Sequence, residues 1–401
     1  CMEMFGTDRK AGRFSTQKDG RKPMRKIWPA ISILLIAGML YGLTIAGCAS
    51  TEPPPTGSKP EVRPALALRE PIVLVCPITS MTPEQEISDL SLILAPLIRR
   101  DLFCVQQISV VPTEDTNVPG KPFFLTESGL RKLGLVHGAD IVTVGILRGN
   151  SASVSIELDA YDLKNDYCLL KTKVEGKTSK IFKLQRELVY EFIDALDITL
   201  SKEERHRLTF SSPKKFQAAS EYGRGLKSEK NEKYTEALIA YENAVQADRR
   251  IAVPYAAEAR VYSKYNAPLR AMESYENAVA RDKFFAEAWY QLNLYAAQYR
   301  QRHDAAMEYC EQALEIAPRF GKARLSLGVR LYALGQLGEA IEETKTAVTL
   351  LPVAPLPRYN LGVYYLEAND PREARKWFGQ ALELDPGFEL ARSELQKLVD
   401  K

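Results

Sequence analysis

Cysteine and histidine side chains are the first candidates for chemistry in this chain of 401 residues. The cysteines are Cys1, Cys48, Cys76, Cys104, Cys168 and Cys310, and the histidines are His137, His206 and His303. No two cysteines have C-x-x-C or zinc-ribbon spacing, and the histidines lie far apart, so no metal site is predicted. A Gly-rich phosphate loop, G-x-S-x-G and H-E-x-x-H are also missing from the sequence. We therefore expect neither catalysis nor a cofactor. The remaining chemistry to consider is covalent modification of a cysteine.

Cys48 is placed for such a modification. Arg25 and Lys26 precede an apolar stretch at 27–43, and small residues then lead to the cysteine. This order is typical of a secretory signal that is cleaved before a lipid-carrying cysteine. The four residues at 45–48, "IAGC", resemble the bacterial lipobox. The resemblance implies a diacylglycerol thioether on Cys48, cleavage before it and acylation of the new amino group. Because Ala49 follows, and not Asp, the resemblance extends to lipoproteins of the outer membrane.

An uncleaved transmembrane helix is the alternative for this stretch. Roughly 20 apolar residues can span a bilayer, and Arg25 and Lys26 would hold its start in the cytoplasm. The Pro-rich sequence that follows, "ASTEPPPTGSKPEVRP", reads as a tether and favours cleavage. We predict a cytoplasmic leader and signal peptide at 1–47 and a lipidated Cys with its tether at 48–67. The expected location is the periplasmic face of a membrane, the outer one by the Ala49 criterion.

Strand and helix signals alternate between residues 68 and 210. Apolar strands are predicted at 71–78, 108–112 and 139–147, followed by a hairpin whose turn is "DLKNDY". Helix starts are predicted at Thr82-Pro83, at Thr126 and near Ser179, and a capping box is predicted between Ser201 and Glu204. Pro96 is expected to kink or break the first helix. The order predicts an α/β sandwich with a mixed sheet.

This region resembles the amino-terminal domain of TolB and its relatives, including FlgO-like lipoproteins and periplasmic domains that precede tetratricopeptide repeats. The likeness lies in "LRKLGLVHGADIVTVGIL", with Gly145, and in "IFKLQRELVYEFIDALDITLSKEE", with Leu184-Gln185. It implies protein interaction in the periplasm and no catalysis. We interpret Asp159 and Asp162 as solvated residues at a strand end and a turn.

Two states are open for the cysteines of this domain. Cys76 and Cys168 could bond in an oxidising periplasm if their strands are neighbours. Otherwise they are buried free thiols, because spacing alone gives no connectivity.

Alanines recur through the last part of the chain at a nearly constant interval. Ala237, Ala271, Ala306, Ala340 and Ala374 are separated by 34, 35, 34 and 34 residues, and each is followed by a second alanine seven residues later. This period is the tetratricopeptide signature, in which small residues let the two helices of each repeat approach closely. We predict a right-handed α-solenoid of five repeats at 218–251, 252–285, 286–320, 321–354 and 355–388. A capping helix is predicted at 389–400.

The first helix of each repeat is expected to line a concave groove that suits a peptide or a partner helix. The candidate groove residues, chosen by repeat position, are Tyr222, Arg260, Lys264, Tyr290, Gln291, Lys322, Ser326, Tyr332, Tyr359 and Asn360. Asn360 matches the position at which peptide-binding repeats often hold the ligand backbone. The lysines and paired asparagines of a two-carboxylate clamp do not recur. Plain solvated surface is the alternative for each of these residues.

The predicted function is a non-enzymatic, membrane-anchored periplasmic scaffold that binds protein partners in an envelope assembly or export system. The formal net charge of +3 favours no nucleic-acid partner, and no small-molecule substrate is expected. One alternative is the periplasmic sensor of a regulator with an uncleaved membrane helix. Another is an enzyme acting on wall polymer or glycan, for which the sequence holds no positive signal.

Overall fold

The structure, a computed structural model, describes residues 70–112, 126–210, 213–299 and 303–399. The leader, the signal peptide, Cys48 and the tether lie outside the described residues.

A mixed sheet of five strands forms the centre of the first domain in the described part of the chain. Its order is β2-β1-β3-β4-β5, with β1 parallel to β2 and β3, and with β3, β4 and β5 antiparallel. The mixed sheet predicted from sequence is thereby confirmed, although β2 is shorter than the predicted 108–112. The strands are β1 (Ile72–Ser80), β2 (Ser109–Val110), β3 (Ile141–Gly149), β4 (Ser153–Asp162) and β5 (Tyr167–Lys177).

Helices cover both faces of the sheet. On one face Leu130 and Leu133 of α2 pack against Leu74 and Val142. On the other, Ala95 and Ile98 of α1, with Val189 and Phe192 of α3, pack against Val73 and Val75. The helices of this domain are α1 (Gln85–Leu102), α2 (Glu127–His137), α3 (Ile181–Ala195) and α4 (Lys202–Phe210).

Two predicted helix ends are confirmed by hydrogen bonds. The Thr126 side chain accepts from the Gly129 amide at 3.3 Å at the start of α2. Ser201 and Glu204 form the predicted capping box at the start of α4. The Glu204 amide donates to Ser201 Oγ at 3.1 Å, and the Ser201 amide donates to Glu204 Oε2 at 2.8 Å.

The first helix differs from the prediction at two places. Thr82 is not its N-cap, because α1 begins at Gln85 and the Thr82 hydroxyl instead donates to the Gly149 carbonyl at 2.8 Å. Pro96 does not end the helix, which continues to Leu102. Buried residues on both sides of Pro96, such as Leu94 and Leu97, supply tertiary packing that offsets the helix-breaking tendency of proline.

The second domain is an array of helices whose lengths and spacing follow the repeat period. Small residues let paired helices approach. A Cβ atom on Gly362, for example, would lie 2.4 Å from the Phe378 ring. The helices are α5 (Phe216–Lys230), α6 (Tyr234–Ala247), α7 (Val253–Lys264), α8 (Pro268–Arg281), α9 (Ala286–Tyr299), α10 (His303–Ile316), α11 (Gly321–Ala333), α12 (Leu337–Leu350), α13 (Pro355–Glu367), α14 (Pro371–Leu384) and α15 (Glu389–Val399).

Helix α1 of the first domain packs along α5, the first helix of the array. Ile87 and Leu90 share a buried cluster with Ala218, Ala219 and Tyr222. In a repeat array, each first helix normally packs against the second helix of the preceding repeat. Helix α1 fills that place for α5, so the α/β domain covers the leading end of the array.

The close contact between α1 and α5 predicts the effect of a small substitution. A Cβ on Gly223 would lie 2.7 Å from the Asp89 carbonyl oxygen. Gly223→Ala should therefore lower the free energy of unfolding by about 1–2 kcal/mol, because separating two packed backbones outweighs the better helix propensity of alanine. Gly379→Ala is the matched control. Gly379 is also helical, with nothing within 4 Å of its added Cβ, so this variant should gain about 0.5–1 kcal/mol. Urea unfolding of both measures the difference, and equal shifts would contradict the close contact.

Candidate functional site

The inner face of the helix array is the candidate site, and its first part borders the α/β domain. A cavity of about 60 Å3 lies between them. Tyr222, Arg260 and Tyr290 line it from helices α5, α7 and α9, and Pro96 and Pro112 line it from the α/β domain. This volume is far below the several hundred Å3 of ligand pockets. The cavity is therefore a gap in an interface between domains.

Arg99 of α1 extends a buried charge into this interface. It is 3% exposed, and its Nη1 donates to the Val75 carbonyl at 3.4 Å. Burial lowers the pKa of Arg99, and the nearby Glu287 and Tyr222 offset only part of that effect. An arginine of the first domain thus lies beside the residues predicted to receive an external partner.

Arg260 belongs to a separate network inside the array. Its Nε and Nη2 donate to the two carboxylate oxygens of Glu229 at 3.2 and 3.0 Å. The Tyr241 hydroxyl donates to the same carboxylate at 2.5 Å. A bidentate pair of this kind fixes the guanidinium plane, so Arg260 is held by its own array.

A second arginine, Arg100, joins the two domains through a buried ion pair. Its Nε lies 2.6 Å from Asp282 Oδ2, its Nη1 lies 2.8 Å from Asp101 Oδ1, and its Nη2 donates to the Arg207 carbonyl at 3.1 Å. Arg100, Asp101 and Asp282 are each less than 7% exposed. Burial alone would lower the pKa of Arg100, but Asp282, Cys104 and Asp101 outweigh it and raise that pKa above its ordinary value. The guanidinium is therefore charged and held by both domains.

Further contacts extend this interface along the array. Asp282 precedes α9, and the next contacts lie at the end of α10 and in the turn before α11. Arg207 of α4 donates to the carbonyls of Glu315 and Ile316 at 3.1 and 3.2 Å. The rings of Phe103 and Phe320 lie 4.8 Å apart between centroids. Ser109 donates to the Arg319 carbonyl at 2.9 Å. The α/β domain is thus bound along the array and not only at its end.

The structure separates the ten predicted groove residues into two groups. In the first, Tyr222 and Tyr290 are buried, so an external partner reaches these two only by displacing what covers them. Arg260 and Gln291 line the cavity with them and keep part of their surface exposed. Lys264, at the end of α7, is exposed. Tyr222, Arg260, Tyr290 and Gln291 thus line one cavity together, and part of its wall is this chain's own first domain.

The second group lies on α11 and α13. Lys322 and Tyr332 keep exposed surface, and Tyr332 stacks on Tyr364 at 4.5 Å between centroids. Tyr359 is mostly buried, 5.7 Å from the Phe378 ring. Ser326 is buried and accepts from Asn293 Nδ2 at 2.8 Å.

Asn360, singled out by its repeat position, is 1% exposed. Neither its Oδ1 nor its Nδ2 has a hydrogen-bond partner among the described residues. A buried amide with both atoms unmatched is costly, so Asn360 has unused capacity to bind backbone groups. Its burial means that a ligand reaches it only after a local opening of the helix array.

The inner face continues on α11 and α13 by the same register. Tyr290, which lines the cavity, is the fifth residue of its repeat, and Leu325 and Tyr359 are the fifth residues of the next two repeats. Leu294 is the ninth residue of its repeat, and Val329 and Val363 occupy that position in the next two. Leu325 and Val363 are half-buried, so apolar surface remains accessible on this part of the inner face.

Sequence reasoning did not find the residues that close the first part of the groove. Arg99, Arg100 and Asp282 carry the polar contacts, and Phe103 and Phe320 carry the aromatic one. The available signal was the charged run Arg99-Arg100-Asp101 directly after the apolar run at 92–98. Charges there must either face solvent or find partners on another element.

The cysteines of the first domain are free thiols. Cys76 lies on β1 and Cys168 on β5, with β3 and β4 between them. Three strand spacings amount to roughly 14 Å, twice the reach of a disulfide, so these two residues do not bond. Burial raises the pKa of Cys76, Cys104 and Cys310 to about 12, which keeps these thiols protonated and unreactive at neutral pH.

Asp162 is not solvated, contrary to the expectation from sequence, whereas Asp159 is half-buried. Asp162 is 1% exposed and accepts from the amides of Lys164 and Asn165 at 2.9 and 3.0 Å, which shapes the hairpin turn. Asp159 lies within β4, and burial raises its pKa.

Over the residues that the structure describes, no group of three or more His, Cys, Asp or Glu side chains could hold a metal ion. Within those same ranges, no helix has the length and apolar character needed to cross a membrane.

Two segments of the chain match models of the tetratricopeptide repeat, at residues 286–320 and 355–388. Both matches coincide with repeats predicted from the alanine spacing. The second domain therefore contains tetratricopeptide repeats.

Solved structures that resemble this chain include tetratricopeptide proteins and MamA proteins. YrrB, described as a tetratricopeptide protein with an unusual peptide-binding site, is 20% identical with a TM-score of 0.39, covering 48% of this chain and 96% of YrrB. MamA from Desulfovibrio magneticus RS-1 is 18% identical with a TM-score of 0.38, covering 43% of this chain and 97% of that protein. Among curated proteins, the human protein O-mannosyl-transferase TMTC3 is 25% identical over 169 residues. That match covers 41% of this chain and 18% of TMTC3.

Proposed function

We propose that this protein is a non-enzymatic scaffold, anchored to a membrane by a lipid on Cys48, that binds protein partners in the periplasm. The observation that carries the scaffold role is the tetratricopeptide array, a fold that typically binds proteins and does not catalyse. In this proposal the array has five repeats in a right-handed solenoid, and α15 caps its last apolar face.

The surface we assign to a partner is the inner face of α11 and α13. It joins the half-buried Leu325, Val363 and Leu366 to the partly exposed Tyr332. The equivalent surface of the first three helix pairs meets the α/β domain through Tyr222 and Tyr290. A partner therefore has room for an extended segment across about two repeats, and not for one that spans the whole array.

The lipid anchor rests on the sequence at 45–48 and on the Pro-rich tether after it. Mass spectrometry of the native amino terminus tests it directly. We expect a mature chain that begins at acylated Cys48, and Cys48→Ala should remain unprocessed. An intact amino terminus with an unmodified Cys48 would favour the membrane-helix alternative.

The partner surface is tested by crosslinking in intact cells, followed by purification of the protein. Val363→Asp should reduce the recovered partner by about tenfold, because a buried carboxylate opposite apolar surface costs more than 1 kcal/mol. Ile239→Asp is the matched control, since Ile239 is apolar, 55% exposed and placed on a second helix of a pair, α6. Equal recovery from both variants would overturn the assignment of this surface.

A further inference from the structure

Exposed apolar side chains lie on both domains near the contact between Gly138 and Pro352. Leu135 and Val136, in the last turn of α2, are 69% and 42% exposed, and Val353 is 41% exposed. Gly138, directly after the last residue of α2, lies against the second domain near Val353. A Cβ placed on Gly138 would lie 2.7 Å from Pro352 Cγ and 3.4 Å from Val353 Cγ1. We call Leu135, Val136, Pro352 and Val353 the junction patch.

The junction patch adjoins the point at which the tether reaches the folded domains. The described chain begins at Glu70, and the Ile72 amide donates to Asp140 Oδ2 at 2.9 Å. The Asp140 amide donates back to the Ile72 carbonyl at 2.8 Å. Asp140 lies two residues after Gly138, so the patch lies at the same end of the molecule as Ile72, two residues after the first described residue.

Cations stand beside the apolar side chains on α2. Arg131 and Lys132 are exposed and precede Leu135 and Val136 by four residues each, which places each cation on the same helix face as one apolar residue. Arg131 pairs with Asp166. Lys132 takes part in no salt bridge among the described residues. Apolar tips flanked by cations fit a bilayer surface, where aliphatic groups enter the headgroup region and cations meet anionic lipid.

We propose that the junction patch docks on the lipid surface to which the protein is anchored. This inference rests on the membrane anchor of the proposed function. The 22 residues from Cys48 to residue 69 can reach at most about 75 Å from the anchor when fully extended. The tether therefore holds the patch close to the bilayer at a high effective concentration, at which a contact too weak to bind free protein suffices. Docking would fix the orientation of the helix array, including α13 to α15, relative to the membrane.

The test places an environment-sensitive fluorophore on Leu135→Cys in the mature lipidated protein, with Cys168→Ser to remove the partly exposed thiol. The protein is reconstituted into vesicles of phosphatidylethanolamine and phosphatidylglycerol at about 3:1. For the vesicle-bound protein we expect blue-shifted and stronger emission. The reference is the same labelled protein after enzymatic release from its anchor, in buffer without detergent. Leu269→Cys is the matched control, since Leu269 is 59% exposed at the start of α8, and its label should not respond. No shift at residue 135, or equal shifts at both positions, would overturn the proposal.

A second variant measures the contribution of the apolar tips. Leu135→Asp with Val136→Asp should reduce the ratio of docked to undocked protein about tenfold, reported by a label on Val353→Cys. Both replaced side chains are exposed, so folding should be unaffected, and circular dichroism checks this. An unchanged signal at residue 353 would overturn the role of α2. A blue shift that appears only when an envelope extract is added would overturn the lipid partner in favour of a protein.

The anchor and the patch can fail separately. If mass spectrometry finds Cys48 unmodified, the protein is attached to nickel-chelating lipid through a histidine tag that replaces residues 1–47. A blue shift at residue 135 in that arrangement would keep the patch and reject the native anchor. No shift there would reject the patch.

Discussion

Arg100→Met is expected to lower the free energy of unfolding by about 3–5 kcal/mol, a loss typical of breaking a buried ion pair. The substitution keeps most of the side-chain volume and removes the positive charge. Asp101 and Asp282, 6% and 1% exposed, would then face each other without a cation. Asp282 Oδ1 still accepts from the Phe284 amide at 3.1 Å, and Asp101 Oδ2 still accepts from Gln185 at 3.0 Å, so part of their hydrogen bonding survives.

A double-mutant cycle separates the ion pair from the lost packing. Asp282→Asn and the double variant complete the cycle, and the double variant should be more stable than the sum of the two single losses predicts. Lys376→Ala serves as the control. Lys376 Nζ lies 3.2 Å from Glu373 Oε1 and both side chains are exposed, so this pair should contribute less than about 1 kcal/mol to the free energy of unfolding. A loss from Arg100→Met no larger than that of Lys376→Ala would contradict the role of Arg100 in joining the domains.

Local patterns were sufficient to predict the elements of this fold. The alanine spacing gave the helix pairs because each small residue reports a close helix contact within a single repeat. Thr126 and the Ser201–Glu204 pair located helix starts because a capping hydrogen bond spans only three residues. The hairpin turn at 163–166 was predictable for the same reason, since its residues shape the turn through Asp162.

The union of the two domains was not predictable, because it depends on contacts between residues far apart in sequence. Arg100 and Asp282 are separated by 182 positions, and nothing in the local sequence of either indicates the other. The same contact explains why the groove candidates divide into two groups. Tyr222, Arg260 and Tyr290 satisfy the repeat pattern of inner-face residues, but that pattern cannot show that α1 and Pro112 approach the same face.

The interface between the domains has the character of a protein core. One buried cluster contains Ile87 and Leu90 of the first domain and Tyr222 of the second, and another contains Phe103 and Phe320. Apolar contacts of this kind stabilise both domains together, whereas the contact between independently moving domains is more polar. We therefore expect the two domains to unfold in one cooperative transition.

Phe320→Ala is expected to lower the free energy of unfolding by about 3–5 kcal/mol and to separate that single transition into two. Phe320 is 1% exposed, and its ring centroid lies 4.8 Å from that of Phe103 and 4.9 Å from that of Tyr290. Its removal takes apolar contact from the α/β domain and from the array at the same point. Differential scanning calorimetry, with the calorimetric and van't Hoff enthalpies compared, measures the loss of cooperativity.

Phe378→Ala provides the matched control for this effect. Phe378 is fully buried, and its aromatic neighbour Tyr359 belongs to the same helix pairs near the end of the array. Its removal should destabilise to a similar extent, because a similar volume is lost from a core, but it leaves every contact between the domains in place. If Phe378→Ala also separated the transition between the α/β domain and the first repeats, or if Phe320→Ala left a single transition, the domains would not be coupled through Phe320. Coupling at this residue would mean that a partner bound to α11 and α13 is held in a fixed position relative to the sheet, since the helix that begins after Phe320 is α11 itself.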